Sequence, residues 1–209
     1  MPFVVLVRHG QTDWNRVERF RGRFDVPLNQ TGLKQAEATA EKLAAGRKPG
    51  DILTSPLSRA RQTADAIARK TGLSPHDCQG LIDIDYGEWQ GLTPGEVGIH
   101  WPRELKAWYE NPETARIPGG ETLAGVQERA LTAALEACAM CPGGSSGTIV
   151  MVGHTVVNRL ILMGVLGSPL DRFWHLKQDP CAINLLEFDG ASFTVAAMND
   201  TCHLPPGLR

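Results

Sequence analysis

The chain begins with an apolar run, Phe3-Val4-Val5-Leu6-Val7, and then changes character abruptly at Arg8-His9-Gly10. The run is rich in β-branched residues and much too short to cross a bilayer, so it reads as a buried strand. Side chains with chemical potential follow where that strand would emerge, and open α/β sheets place their ligands at that edge. Arginine offers phosphate oxygens a rigid fork of donors, while a neutral imidazole offers a nitrogen lone pair. An Arg-His pair can equally be an ordinary strand terminus, so its meaning depends on the rest of the chain.

The rest of the chain repeats the pattern. Residues 148–152 form a second strand candidate, and Gly153-His154-Thr155 follows immediately before an expected helix over 156–166. In a parallel sheet, His9 and His154 would reach the same carboxyl edge despite their separation in sequence. Between them, residues 31–45 carry Leu33, Ala36, Ala40 and Leu43 on a helical stripe that Gly46 and Pro49 end. Residues 51–54 read as a short strand and 58–70 as a helix capped by Ser58, with Gly72 beyond its end. Residues 96–109 are expected to be helical in part, with Pro102 as a boundary or kink, and 122–138 form a further helix. Near the end, 182–188 and 193–197 look like a hairpin across Asp189-Gly190-Ala191-Ser192. The expected fold is therefore α/β, a single three-layer domain spanning 1–209 with a mostly parallel central sheet and helices on both faces.

Composition narrows the functional classes. The 209 residues are 42% hydrophobic, enough for one well-buried core. Lysine and arginine number 21 against 23 acidic residues, for a net charge of −2, which implies neither a nucleic-acid nor a membrane partner. No membrane-length apolar stretch or signal-like leader is evident, so the expected location is cytoplasmic. Cys78, Cys138, Cys141, Cys181 and Cys202 are too scattered for a disulfide framework. The Cys138-Ala139-Met140-Cys141 pair lacks a matching second pair, so no metal is expected there. The Gly-rich stretch 143–147 lacks the Lys-Ser/Thr ending of a nucleotide-binding loop.

Arg59 supplies further charge logic. It lies near the start of the expected helix in Ser55-Pro56-Leu57-Ser58-Arg59-Ala60-Arg61-Gln62-Thr63, where unpaired backbone donors also favour an anion. Arg61 faces away from Arg59 if both are helical. Taken with Leu6-Val7-Arg8-His9-Gly10-Gln11-Thr12-Asp13-Trp14-Asn15, Tyr86-Gly87-Glu88-Trp89-Gln90-Gly91, Pro118-Gly119-Gly120-Glu121-Thr122 and Gly153-His154, this segment closely resembles the histidine phosphatase superfamily. That superfamily includes the cofactor-dependent phosphoglycerate mutases and many small phosphomonoesterases. The resemblance covers nearly the whole chain, with the motifs in family order, and implies a phosphoglycerate mutase-like fold.

By that resemblance His9 is the phosphate-accepting nucleophile, and Arg8, Arg59 and His154 hold the phosphoryl oxygens with Asn15 as a further contact. The family's acid/base glutamate aligns with Asp83, one methylene shorter; Glu88 is the alternative carboxylate, in a different motif position. The implied function is a metal-independent phosphatase, without cofactor, hydrolysing a small phosphate monoester through phosphohistidine. Two other readings stand beside it: a cofactor-dependent phosphoglycerate mutase, and a weakly catalytic phosphate-binding or interaction module. Hydrolysis is favoured because the segment between Gly91 and Gly119 is short beside the basic insertion of the mutases. Residues 88–120 are expected to form a substrate-pocket or lid insertion. Arg21, Gly22, Glu88, Trp89 and Thr155 are substrate-binding candidates, with Arg23, Trp101 and Trp108 as outer-pocket candidates. The partner is a small phosphorylated metabolite, and the state monomer or homodimer. His203 has a structural or rim role.

Overall fold

The computed structural model describes residues 2–15, 17–140 and 147–209. Cys141 and most of the Gly-rich stretch 143–147 therefore lie outside the described residues. A sheet of six strands runs in the order β3-β2-β4-β1-β5-β6. Its parallel part comprises β1 (Phe3–Arg8), β2 (Asp51–Thr54), β3 (Pro75–Asp77) and β4 (Thr148–Gly153). The expected hairpin, β5 (Ile183–Phe188) and β6 (Phe193–Asp200), joins antiparallel along β1. Edge strand β3 had no sequence signal, because Pro-His-Asp is poor β material. An edge position tolerates the missing Pro75 N–H.

The apolar run of β1 explains the layers. Side chains alternate across a strand, so Val4 and Leu6 enter one core with α5 (Leu123–Ala139) and α6 (Thr155–Val165). Val5 and Val7 enter the other core, beneath α1 (Gln30–Ala45) and α2 (Ser58–Thr71). With both faces covered, β1 has no polar positions until Arg8, which accounts for the continuous apolar run. Within α1 the buried stripe uses Ala36, Ala40 and Leu43 as expected, but Leu33 is exposed and Gly32 and Gln35 occupy the inner face instead. Pro102 starts a new helix: α3 (Pro94–His100) ends before it and α4 (Pro102–Glu110) begins on it, its missing N–H falling where no helical acceptor is needed.

Ser58 does not cap α2. The N-cap position is Leu57, and the capping group is the Asp25 carboxylate, which accepts from the Ser58 amide at 2.7 Å and the Ser58 hydroxyl at 2.6 Å. A carboxylate brought from a distant loop thus takes the anion position at this helix start. It also fixes the loop that carries Gly22 and Phe24 beside Arg59.

Candidate active site

Register sets the site. Arg8 pairs with Gly153 across β1 and β4, and the His9 amide donates to the Gly153 carbonyl at 3.0 Å. The two strands therefore release His9 and His154 side by side, their ring centroids 5.1 Å apart. Gly10 is required by close packing rather than by torsion. A Cβ there would lie 2.6 Å from the Gly32 carbonyl of α1, and one at Gly32 would lie 2.1 Å from the Gln11 carbonyl. The Gly10 amide donates to Thr63 Oγ1 at 3.1 Å, which ties the turn to α2.

His9 is buried, and its Nδ1 lies 2.6 Å from its neighbour's carbonyl, Gly10 O. A carbonyl only accepts, so Nδ1 carries the proton and Nε2 keeps its lone pair. Among the described residues nothing bonds Nε2, and the His9 side chain lines a cavity of about 290 Å³. Burial, followed by the charges of Arg59, His154, Arg8 and Arg21, holds the His9 pKa well below its ordinary value. The ring is thus neutral and able to act as a nucleophile at neutral pH.

Arg8 donates from Nη1 to the Gln178 carbonyl at 2.5 Å, while its buried Nε has no partner among the described residues. Burial and then the Arg21 and Arg159 charges press its pKa down to about 9. A buried cationic donor left unpaired next to a nucleophile is a place prepared for an anion.

Arg59 is fully buried and bound on all sides. Its Nη1 donates to Phe24 O and its Nη2 to Gly22 O, both at 2.8 Å; Nη2 also meets Asp83 Oδ2 at 3.0 Å, and Nε reaches His154 Nδ1 at 3.3 Å. With Nδ1 accepting, the His154 proton sits on Nε2, 2.8 Å from Ser55 Oγ. His154 is pressed well below its ordinary pKa by burial first and then by Arg59. Gly22 holds φ +50°, and a Cβ there would lie 2.6 Å from Gln90 Oε1, so this carbonyl can be offered to Arg59 only by glycine.

Asp83 lines the same cavity; its Oδ1 accepts from the Ile84 amide at 3.0 Å, and its Oδ2 lies 3.5 Å from His154 Nδ1. Its backbone is clamped from α5. Arg129 donates to the carbonyls of Gly80, Ile82 and Asp83 at 2.9, 2.8 and 3.3 Å while pairing with Glu121 at 2.9 Å.

Asn15, Arg21, Gly22 and Thr155 also line the cavity. Asn15 turns its Oδ1 to the Thr12 amide at 2.8 Å, and Arg21 donates to the Thr12 hydroxyl at 2.9 Å. Two proposed contacts are not brought there. Glu88 is exposed on a 3-10 turn away from the cavity, and Trp89 is fully buried, its ring against Phe20 and Trp108. Burying so large a ring stabilises the core beneath the site, which is why Trp89 is not on its wall. Arg23 instead pairs with Asp85 and Glu121 at 3.2 and 3.4 Å, and Trp101 packs at the core's margin, whereas Trp108 does reach the cavity. His203 sits against Thr39 of α1, 3.0 Å away.

Arg159, Phe173 and Trp174 line the cavity without having been singled out from sequence. Arg159 was the accessible one: it lies four residues after Thr155 on an expected helix and so shares its face. Phe173 and Trp174 belong to an irregular 3-10 segment, Leu170–His175, with no periodicity to reveal them.

Residues 4–201 match the family model described as "Histidine phosphatase superfamily (branch 1)". The chain belongs to that superfamily, in its branch of small phosphatases and mutases, and has its fold. It is 33% identical over 205 residues to phosphoserine phosphatase 1 of Hydrogenobacter thermophilus, covering 98% of this chain and 95% of that one. It is 30% identical over 213 residues to the probable phosphoglycerate mutase GpmB of Yersinia pestis, covering 96% and 94%. Among solved structures, Bacillus stearothermophilus YhfR superposes with a TM-score of 0.91 at 28% identity, covering 97% of this chain and 99% of that one.

Proposed function

We propose that this protein is a cytoplasmic phosphoric monoester hydrolase that works through a phosphohistidine at His9. The observation that carries the reading is an imidazole on the cavity with its Nδ1 fixed and Nε2 free, preceded in the chain by Arg8, whose buried Nε has no partner among the described residues. A phosphoryl dianion entering there takes the Arg8 donor and competes with Asp83 for Arg59. Asp83 takes the general-acid role in the first half of the cycle. His9 Nε2 then attacks phosphorus as the ester P–O bond breaks, and Asp83 gives its proton to the departing oxygen. In the second half, water passes a proton to Asp83 and its oxygen attacks phosphorus; the P–N bond breaks and His9 is restored. Arg8 and Arg59 stabilise the charge on the phosphoryl oxygens throughout, with Asn15 and Thr155 at the cavity wall.

The likeness to a phosphoserine phosphatase, together with the short 88–120 segment, supports hydrolysis over phosphoryl transfer between sugar-acid positions. From that segment Pro94, Trp108 and Tyr109 form one wall, the part assigned to substrate fit. A phosphate-release screen over small monoesters, with His9→Ala as the blank, tests the reading. Release by the parent protein alone is expected. Isomerised phosphoglycerate without free phosphate would make it a mutase, and orthovanadate binding without turnover a phosphate-binding module.

A further inference from the structure

Beyond the phosphoryl group, the cavity holds a charge that the hydrolytic mechanism does not use. Arg159 donates from Nε to the Leu176 carbonyl at 2.5 Å, and its guanidinium carbon lies 5.0 and 5.3 Å from the ring centres of Phe173 and Trp174. One backbone bond and two aromatic faces hold the plane in place, and among the described residues no carboxylate pairs with it. Of the other cavity cations, Arg19 lies 3.6 Å from Glu96, and Arg21 donates to the Thr12 hydroxyl at 2.9 Å within the field of Asp83. Asp83, the acid of the phosphoryl end, is already paired with Arg59. The terminal nitrogens of Arg159 are thus a preorganised fork on the cavity wall without an anion. Arg159 follows Thr155 by one helical turn, about 6 Å between Cβ atoms, and both line the cavity.

We propose that Arg159 is a specificity residue that binds a carboxylate carried by the leaving alcohol, so that the preferred substrates are phosphate monoesters of small hydroxy acids or hydroxy amino acids. The inference rests on the phosphatase reading above. A fork of fixed orientation recognises a planar carboxylate through two parallel charge-assisted bonds, which an uncharged alcohol cannot make. The aromatic faces behind it keep water from the guanidinium and strengthen that recognition.

The test uses two esters that differ only by the carboxylate, O-phosphoserine and O-phosphoethanolamine, with p-nitrophenyl phosphate as a third substrate. The expected ratio of kcat/KM between the first two is about 10- to 100-fold in favour of the carboxylate, the size of one charge-assisted pair. In Arg159→Met that ratio collapses toward unity, chiefly through KM, and Arg159→Lys keeps part of it. A ratio near unity in the parent protein, or one that survives in Arg159→Met, overturns the inference while hydrolysis of the aryl ester leaves the phosphatase reading standing. Hydrolysis of none of the three sinks that reading instead. The ratio of Kd values for the two amines on His9→Ala, read by calorimetry, then decides the Arg159 inference without turnover.

Discussion

Asp83 is held by one residue it must compete for and one it does not control. Its carboxylate meets Arg59 at 3.0 Å, while the Ile84 amide fixes its other oxygen. Asp83→Asn keeps the shape and loses the transferable proton, so kcat should fall by about 10²- to 10⁴-fold. The deficit should shrink for esters with good leaving groups such as p-nitrophenyl phosphate, which need no protonation, and an equal loss with all leaving groups would remove Asp83 from the proton-transfer step. Arg59→Ala is a different kind of lesion. It strands Asp83 and the Gly22 and Phe24 carbonyls in a buried site, with an expected stability loss of about 3–5 kcal/mol in urea unfolding besides the loss of turnover. The residues gathered around His9 were legible as candidates because the histidines, arginines and turn glycine stand in short local patterns after apolar runs. The partner of Nδ1 was not, since a backbone carbonyl leaves no mark on sequence; nor was the burial of Trp89, which depends on the rings that meet it.

One glycine and one arginine control how the elements meet. Gly32 lets α1 lie directly on the loop after His9, where a Cβ would come within 2.1 Å of a carbonyl. Gly32→Ala must push backbone against backbone, and we expect it to destabilise the protein by roughly 1–3 kcal/mol and lower kcat. Unchanged thermal stability would mean that α1 and this loop are free to separate. Arg129 touches no cavity atom, yet it holds three carbonyls around Asp83 from α5. Arg129→Met should lower kcat about tenfold with little change in KM and accelerate amide exchange over 80–85; a change in KM alone would contradict the clamp. At this scale the sequence was most informative where apolar runs are strong, as in β1, β4 and α6. It failed where tertiary partners decide: Asp25 capping α2 from 33 residues away is invisible to local pattern, and so is an edge strand made of Pro-His-Asp.

Across the whole molecule, burying two neutral histidines makes stability depend on pH. Both have folded pKa values below the unfolded value of about 6.5, so the unfolded chain binds more protons on acidification. Their contribution is complete above that value and diminishes as pH falls below it, by up to about 1.4 kcal/mol per pH unit for each ring. Urea midpoints should therefore drop between pH 7 and 5, and drop less in His154→Gln; identical midpoints across that range would mean that both rings bind protons as readily in the folded chain as in the unfolded one. The three-layer order followed from the apolar runs, since strands buried on both faces need helices on both sides. What the sequence left unspecified was much of the cavity wall, where Phe173, Trp174 and Arg159 meet at positions that only the closed fold brings together.

In the proposed reaction His9 Nε2 carries the phosphoryl group. Rapid-quench mixing with a ³²P-labelled monoester, followed by peptide mapping, measures it directly. An acid-labile, alkali-stable label on His9 is expected, forming and decaying at rates compatible with turnover. Label on a carboxylate, or turnover with none on His9 at any time, would contradict it.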